Sequence, residues 1–279
     1  MTISEWLHHA GEVLSESGCP DPAVDARWIA EDMLNMTTSA LRFEGQNVIA
    51  PEVLQKMNEC LQRRIQGEPV QYILKKSDFM GMRFYVDNRV LIPRQDTESL
   101  VEAVIIALQG RKNPRVLDLC TGSGCIGLSI ATLTPGAWVT LADVSSGALE
   151  VAKKNAHELN AEVTLRHGDL FDAVGREKFD LIVSNPPYIP TAEVSQLQAE
   201  VRYEPALALD GGLDGLDFYR RIIREAPAHL SENGSIYLEV GMGEAQDVLE
   251  MLRANMDSAD SGVIRDLCGV ERIVWIRSR

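Results

Sequence analysis

The chain contains no run approaching ~18 uninterrupted apolar residues, the length a membrane-crossing helix requires. Its first stretch, MTISEWLHHAGEVL, carries acidic residues in place of a basic segment followed by an apolar one. Neither membrane spanning nor secretion is expected. Cysteine is sparse: Cys19, Cys60, Cys120, Cys125 and Cys268 form no CxxC pair and have no histidine partner at zinc-ligand spacing, so no metal site is expected. Five thiols cannot all pair, and they fit the reduced state of a cytoplasmic protein. Positive charge is in deficit. A formal charge of −14 repels a phosphate backbone over most of the surface, so nucleic acid is a disfavoured partner unless QRRIQ or YRRIIRE forms a local basic patch. Internal repeats and low-complexity tracts are also lacking.

What remains is 279 residues at 45% hydrophobic content, enough for one large domain and a smaller one. From Ser4 to about Gly67 only helical periods occur. One segment opens with Ser4 as cap and closes at Gly18, a second has Pro22 in its first turn, and a third runs from Pro51 to Gly67. DFMGMRFYVDNRVLI reads as two strands around Gly81 with a turn at Asp87–Asn88. From Arg115 onward, strand-like runs (RVLDL, WVTLAD, EVTLRHGD, FDLIVS, SIYLEV) alternate with helical ones, the pattern of a parallel sheet covered on both faces. GVIRDL and ERIVWIR lack a helix between them and suggest an antiparallel edge hairpin. The expected organisation is a helical domain over 1–71, a β-hairpin linker over 72–92 and a Rossmann-like α/β domain over 93–279.

In such a sheet the ligand crevice lies beyond the carboxyl ends of the strands. The first strand is followed by CTGSGCIGLSIA, where Cys120, Thr121, Gly122, Ser123 and Gly124 form a tight turn and a helix begins near Cys125. Its spelling from Gly122 to Gly127 matches the dinucleotide fingerprint, and Asp143 follows about 20 residues on, where a carboxylate can accept both hydroxyls of a ribose. Asp143 could instead cap the next helix, although Ser145 is available for that. These residues fit a nicotinamide dinucleotide or another adenosine-containing cofactor. Asp118 either orients the glycine loop, meets a cationic group of the ligand or is a satisfied buried acid. Asp169 could meet an adenine amino group and Leu170 cover a ring face, unless the two only form a turn.

FDLIVS ends in NPPY, residues 185 to 188. Prolines cannot donate to a β ladder and hold the preceding residue out of the helical region, so this is a stiff, extended loop. FDLIVSNPPYIP resembles the fourth motif of S-adenosylmethionine-dependent amino methyltransferases, in which such a tetrapeptide holds a planar group bearing NH2. Asn185 and the Pro186 carbonyl can each accept one N–H, Pro187 stiffens the loop, and the Tyr188 ring can cover the planar face. The nicotinamide reading gives this loop no role.

GEPVQYILKKSDFMGMRFYVDNRVLIPRQDTESLVE, DLCTGSGCIGLSIA, NPPYIP, YEPALALDGGLDGLDFYRRI and GSIYLEVG together resemble the peptide-release-factor glutamine N5-methyltransferases along the whole chain. The resemblance implies methyl transfer from S-adenosyl-L-methionine, with S-adenosyl-L-homocysteine as product, to the glutamine of the Gly-Gly-Gln loop of class I release factors. It also implies cofactor contacts at Cys120 to Gly124, Asp143, Leu170 and Asn185, catalysis by Asn185, Pro186 and Tyr188, and a substrate glutamine held by residues 185 to 188. A methyltransferase of nucleic-acid amino groups (adenine N6 or guanine N2) is the alternative. The family usually has glycine where Cys120 stands, so a thiol turned sideways is expected there. Arg94 and Glu98 either pair with each other at the surface or order a loop over the site, and ALDGGLDGL is read as a loop that shapes the cleft.

Overall fold

The Thr2 hydroxyl accepts the N–H of Glu5 at 3.2 Å, and the Glu5 carboxylate accepts the N–H of Thr2 at 2.8 Å. This reciprocal cap starts α1 (Ile3–Glu16) before Ser4, so Thr2 is the cap where Ser4 was expected. Pro22 and Pro51 open α2 (Pro22–Leu34) and α4 (Pro51–Ile65), as their fixed φ and missing N–H favour. Two short helices escaped the periodicity: α3 (Thr38–Phe43), capped by Thr37, and α5 (Val70–Leu74).

The computed structural model describes residues 1–256 and 258–278. It divides into two units, one of residues 1–76 with 198–203, the other of 77–197 with the described residues from 204 onward. In the helical unit Trp6, Leu14, Ile29 and Met57 are fully enclosed, and a buried side chain of this size contributes about 1.5–3 kcal/mol. The Trp6 indole N–H is satisfied by Asn58 Oδ1 at 2.9 Å. Arg64 is buried too. Its Nε donates to Asp25 Oδ2 at 2.6 Å, and its Nη2 pairs with Glu200 of the 198–203 segment.

The second unit opens with the hairpin β1 (Ser77–Phe79) and β2 (Met82–Phe84), turning at Met80–Gly81; a further turn at Asp87–Val90 includes Asn88. The strands occupy only part of the 72–92 span, since Tyr72 to Leu74 are helical. Helix α6 (Glu98–Leu108) leads to β3 (Arg115–Leu119). There follow α7 (Cys125–Leu133), β4 (Trp138–Asp143), α8 (Ser146–Glu158), β5 (Val163–His167), β6 (Phe179–Ser184) and a short α9 (Thr191–Val194). Then come α10 (Asp217–His229), β7 (Leu230–Glu239), α11 (Ala245–Asn255), β8 (Ser258–Arg265) and β9 (Glu271–Ser278).

The seven-stranded sheet has the order β5-β4-β3-β6-β7-β9-β8, parallel from β5 to β7, with β9 antiparallel to both its neighbours, β7 and β8, at one end. This is the Rossmann-like arrangement with an edge hairpin. Alternate residues feed two cores. Leu117, Ile182 and Ile236 face α10 and α11, while Val116, Val183 and Tyr237 face α6 and α7. β3 pairs with β4 on one side and β6 on the other, which puts the switch of strand order between β3 and β6.

Candidate active site

Register decides what meets at that switch point. Leu119 is level with Ala142 of β4 and Ser184 of β6, so the next residues, Cys120, Asp143 and Asn185, leave the sheet side by side. The Ser184 hydroxyl donates to the Leu119 carbonyl at 2.7 Å and fastens the two strand ends.

Asp118 organises the glycine loop from below. Its Oδ2 accepts the Thr121 hydroxyl at 2.6 Å and the Gly127 N–H at 3.0 Å. A Cβ on Gly127 would stand 2.1 Å from Leu141 Cδ2 and 2.9 Å from Asp118 Oδ2, so only glycine allows α7 to approach this closely. The carboxyl is fully buried, and burial raises its pKa to about 7 against the pull of those two hydrogen bonds. Of the readings offered for Asp118, loop orientation is the one its contacts display.

Asp143 holds two strand-end turns. Its Oδ2 accepts the Gly122 N–H at 2.9 Å and its Oδ1 accepts the Ser145 N–H at 2.8 Å. The cap of α8 is Ser145, whose hydroxyl accepts the Ala148 N–H. Burial raises the Asp143 pKa, opposed by the backbone N–H groups. Asp169 forms an exposed ion pair with Arg221 at 2.6 Å.

A partly open cavity lies beyond these strand ends, at the place where open α/β sheets bind their ligands. Cys120, Gly122, Asp143, Leu170, Asn185 and Pro187 line it, together with Ala142, Leu207 and Phe218. Thr121 and Ser123 are buried behind the wall, Gly124 precedes α7, and Pro186 is buried. Tyr188, half-buried against the core, has its hydroxyl pKa raised to about 12, chiefly by burial. Cys120 adopts φ +58°, the left-handed region that glycine favours, and its thiol packs on the same core. Burial pushes that thiol's pKa well up, so it is a poor nucleophile.

ALDGGLDGL clamps NPPY from outside. Ile189 donates to the Leu209 carbonyl at 3.0 Å and accepts from Gly211 at 2.8 Å, and Thr191 donates to the Gly212 carbonyl at 2.8 Å. A Cβ on Gly211 would lie 2.7 Å from the Tyr188 Cα, so this glycine is what lets the two backbones touch.

Arg94 and Glu98 do not pair with each other. Arg94 pairs with Glu204, whose other oxygen accepts the Ile92 N–H at 3.0 Å, and Glu98 accepts the Met80 N–H at 2.6 Å. The arginines of QRRIQ and YRRIIRE are each matched to carboxylates: Arg63 to Glu68, Arg64 to Asp25 and Glu200, Arg220 to Asp214 and Asp217, Arg221 to Asp169, and Arg224 to Glu225. Neither run offers a free cationic surface.

Three buried residues around the cavity were not anticipated. Asn155 of α8 accepts the Tyr85 N–H at 2.7 Å and donates to the carbonyls of Tyr85 and Ser123, tying the hairpin exit to the glycine loop. Thr97 and Glu239 lie against the side chain of Asn185.

Comparison with known proteins follows the same division. Residues 5–74 match the PrmC N-terminal domain, and residues 96–202 match the methyltransferase small domain. A release factor glutamine methyltransferase of Geobacter sulfurreducens is 41% identical over 98% of this chain and 95% of its own length. One from Neisseria gonorrhoeae is 39% identical over 98% of this chain and 96% of its own. This chain belongs to the release factor glutamine methyltransferase family. A ribosomal protein uL3 glutamine methyltransferase of Bradyrhizobium diazoefficiens is also similar, 39% identical over 87% of this chain and 82% of its own. Among solved structures, the hMettl16 catalytic domain bound to an RNA hairpin shares the fold at TM-score 0.58 and 17% identity, covering 91% of each chain. The T. thermophilus 16S rRNA methyltransferase RsmC, solved with AdoMet and guanosine, does so at TM-score 0.54 and 18% identity, covering 73% of this chain and 50% of its own.

Proposed function

We propose that this enzyme transfers a methyl group from S-adenosyl-L-methionine to the side-chain amide nitrogen of the glutamine in the Gly-Gly-Gln loop of class I peptide chain release factors, releasing S-adenosyl-L-homocysteine. The observation that carries the reading is the placement of Asn185 and Pro187 on the wall of the cavity that Asp143 and Gly122 also line. An amine-holding loop and a ribose-binding carboxylate then face one space.

The residues present fit the cofactor. Each Asp143 oxygen holds one backbone N–H and retains acceptor capacity for one hydroxyl of a ribose diol. Ala142, Leu170 and Phe218 supply apolar surface for an adenine ring. When bound, S-adenosyl-L-methionine supplies an electrophilic methyl group on a sulfonium sulfur.

An amide nitrogen is a weak nucleophile because its lone pair is delocalised, so the chain must orient it. Asn185 Oδ1 and the Pro186 carbonyl each accept one N–H, and the Tyr188 ring covers the planar face. The two prolines hold the carbonyl direction at little entropic cost. Rate then comes from in-line alignment: as the N–C bond forms and the C–S bond breaks, the nitrogen becomes strongly acidic and gives up one proton to solvent. The release factor is gripped by the helical unit, and the reaction belongs in the cytoplasm, where release factors work. Among the described residues no helix is long and apolar enough to cross a membrane.

The uL3 relative supports a second reading that keeps the chemistry and changes the protein carrying the glutamine. Labelled S-adenosyl-L-methionine, offered in parallel with a release factor, its Gln-to-Ala loop variant, protein uL3 and ribosomal RNA, separates the readings. Label on the loop glutamine of the intact release factor is expected. Label on RNA, or equal label on the Gln-to-Ala variant, overturns the proposal.

A further inference from the structure

Glu239 ends β7 in the apolar run IYLEVG, and since Leu238 is level with Ser184 of the parallel strand β6, it stands beside Asn185. Only 2% of it is exposed, and its Oε2 is buried without a hydrogen-bond partner. A buried carboxylate with a spare oxygen costs stability, and such a group persists where something else depends on it. Tyr219 fixes the strand at this point by donating its hydroxyl to the Glu239 main-chain carbonyl at 2.8 Å. The neighbours of the carboxylate are the Thr97 hydroxyl and the Asn185 amide, with Arg272 and Asp96 nearby.

Asn185 is ambiguous on its own, because one end of its amide donates and the other accepts. Only the accepting end is of use to an incoming NH2. In the structure Nδ2 points inward, reaching Thr97 Oγ1 at 3.4 Å, on the side where Glu239 lies. An ionised carboxylate can only accept, so it selects the amino end of Asn185 and leaves Oδ1 for the cavity.

We propose that Glu239 is a positioning residue for methyl transfer, holding Asn185 by its Nδ2 so that Oδ1 is the atom offered to the substrate amide. The proposal rests on the amide-methylation reading above. Burial raises the Glu239 pKa to about 7, while hydrogen bonds from Thr97 and Asn185 and the charge of Arg272 act in the opposite direction. The orienting form is therefore the one present in mildly alkaline solution.

The test uses the polarity of this contact. At a pH above the Glu239 pKa, single-turnover methyl transfer and cofactor affinity are measured for the full chain and for Glu239→Gln, Asn185→Asp and the double variant. Glu239→Gln lets Asn185 bond in either orientation and is expected to lower the transfer rate by about tenfold, the worth of one hydrogen bond, with cofactor affinity unchanged. Asn185→Asp sets two carboxylates against each other and is also expected to lose rate. The double variant again pairs one amide with one carboxylate, the two roles exchanged between the positions, and is expected to exceed both single variants. A purely structural Glu239 gives no such recovery, and a double variant no better than the worse single one overturns the proposal. Glu239→Asp serves as a second variant should Glu239→Gln not fold, with the same loss of rate at constant cofactor affinity expected and an unchanged rate overturning the proposal. NMR of the Asn185 side-chain amide, assigned by its loss in Asn185→Ala, needs no substrate. Its proton resonances are expected to move in Glu239→Gln or Glu239→Asp, and unmoved resonances overturn the contact. Wild type that fails to methylate a release factor while these resonances do move refutes the activity and leaves the contact standing.

Discussion

The carboxylate of Asp143 accepts the backbone N–H of Gly122 at 2.9 Å, so the residue that ends β4 also secures the loop that follows β3. In the proposed function the same side chain also holds the ribose of the cofactor. Asp143→Ala should weaken cofactor binding by about 1.5–3 kcal/mol, the worth of hydrogen bonds to a charged group. It should also lower the melting temperature, because the Gly122 and Ser145 N–H groups lose their acceptor. Calorimetric titration checks the first effect, and an unchanged affinity removes the ribose role.

Asn185→Ala should separate chemistry from binding. In the proposed function its loss removes an acceptor for the substrate amide, so the transfer rate should fall by about ten- to a hundredfold, more than cofactor affinity falls. Equal loss of both would count against the assignment.

Asp118 gives stability a defined dependence on pH. In the unfolded chain its carboxyl titrates near 3.8, and in the fold near 7. Between those values the folded state keeps a proton that the unfolded chain has released. Stability should therefore fall as pH rises through this window and level off above it. Glu239, raised to about 7 from 4.5 by burial, acts in the same direction. Urea midpoints across the window should show a shallower decline for Asp118→Asn than for wild type, and parallel curves would refute the assignment to Asp118.

Gly127→Ala should be costly. The new methyl would meet Leu141 and Asp118 at impossible distances, so α7 must shift or the Asp118 hydrogen bonds must break. Overpacking of this kind costs about 1–3 kcal/mol. A matching drop in the urea midpoint is the expected outcome, and wild-type stability would show that α7 is free to move.

The thiols should differ sharply in reactivity. Cys268 is exposed, whereas Cys125 is buried with its pKa raised to about 12 and Cys120 is raised still further. A thiolate-specific reagent should label Cys268 first and reach Cys125 only on unfolding. Fast labelling of Cys125 in the native protein would contradict its enclosure.

Much of this arrangement was legible because each functional strand ends in an unusual local signal. Glycines after RVLDL, an acid after WVTLA and prolines after FDLIVS mark positions that only the carboxyl edge of a parallel sheet brings together. The register that sets Cys120, Asp143 and Asn185 abreast was not legible, since pairing depends on strands distant in sequence. Asn155 carried a detectable signal, a polar residue on the buried face of α8 beside Ala152 and Ala156, but its partners at residues 85 and 123 are non-local. Glu239 carried the same signal as Asp118, a charge inside a buried strand, and only the fold shows that it lies beside Asn185. The short helices α3 and α5 were missed because five or six residues cannot display a helical period.

The six residues 198–203 group with the N-terminal helices although they follow NPPY in the chain, so the polypeptide passes between units more than once. Modularity at the level of the gene is correspondingly reduced. A chimaera that joins the first 76 residues of one relative to the remainder of another inherits a mismatched Arg64 and Glu200 pairing unless this short segment travels with the helices. Recombination between relatives should therefore succeed most often when both pieces come from one parent, and the two stretches should diverge together.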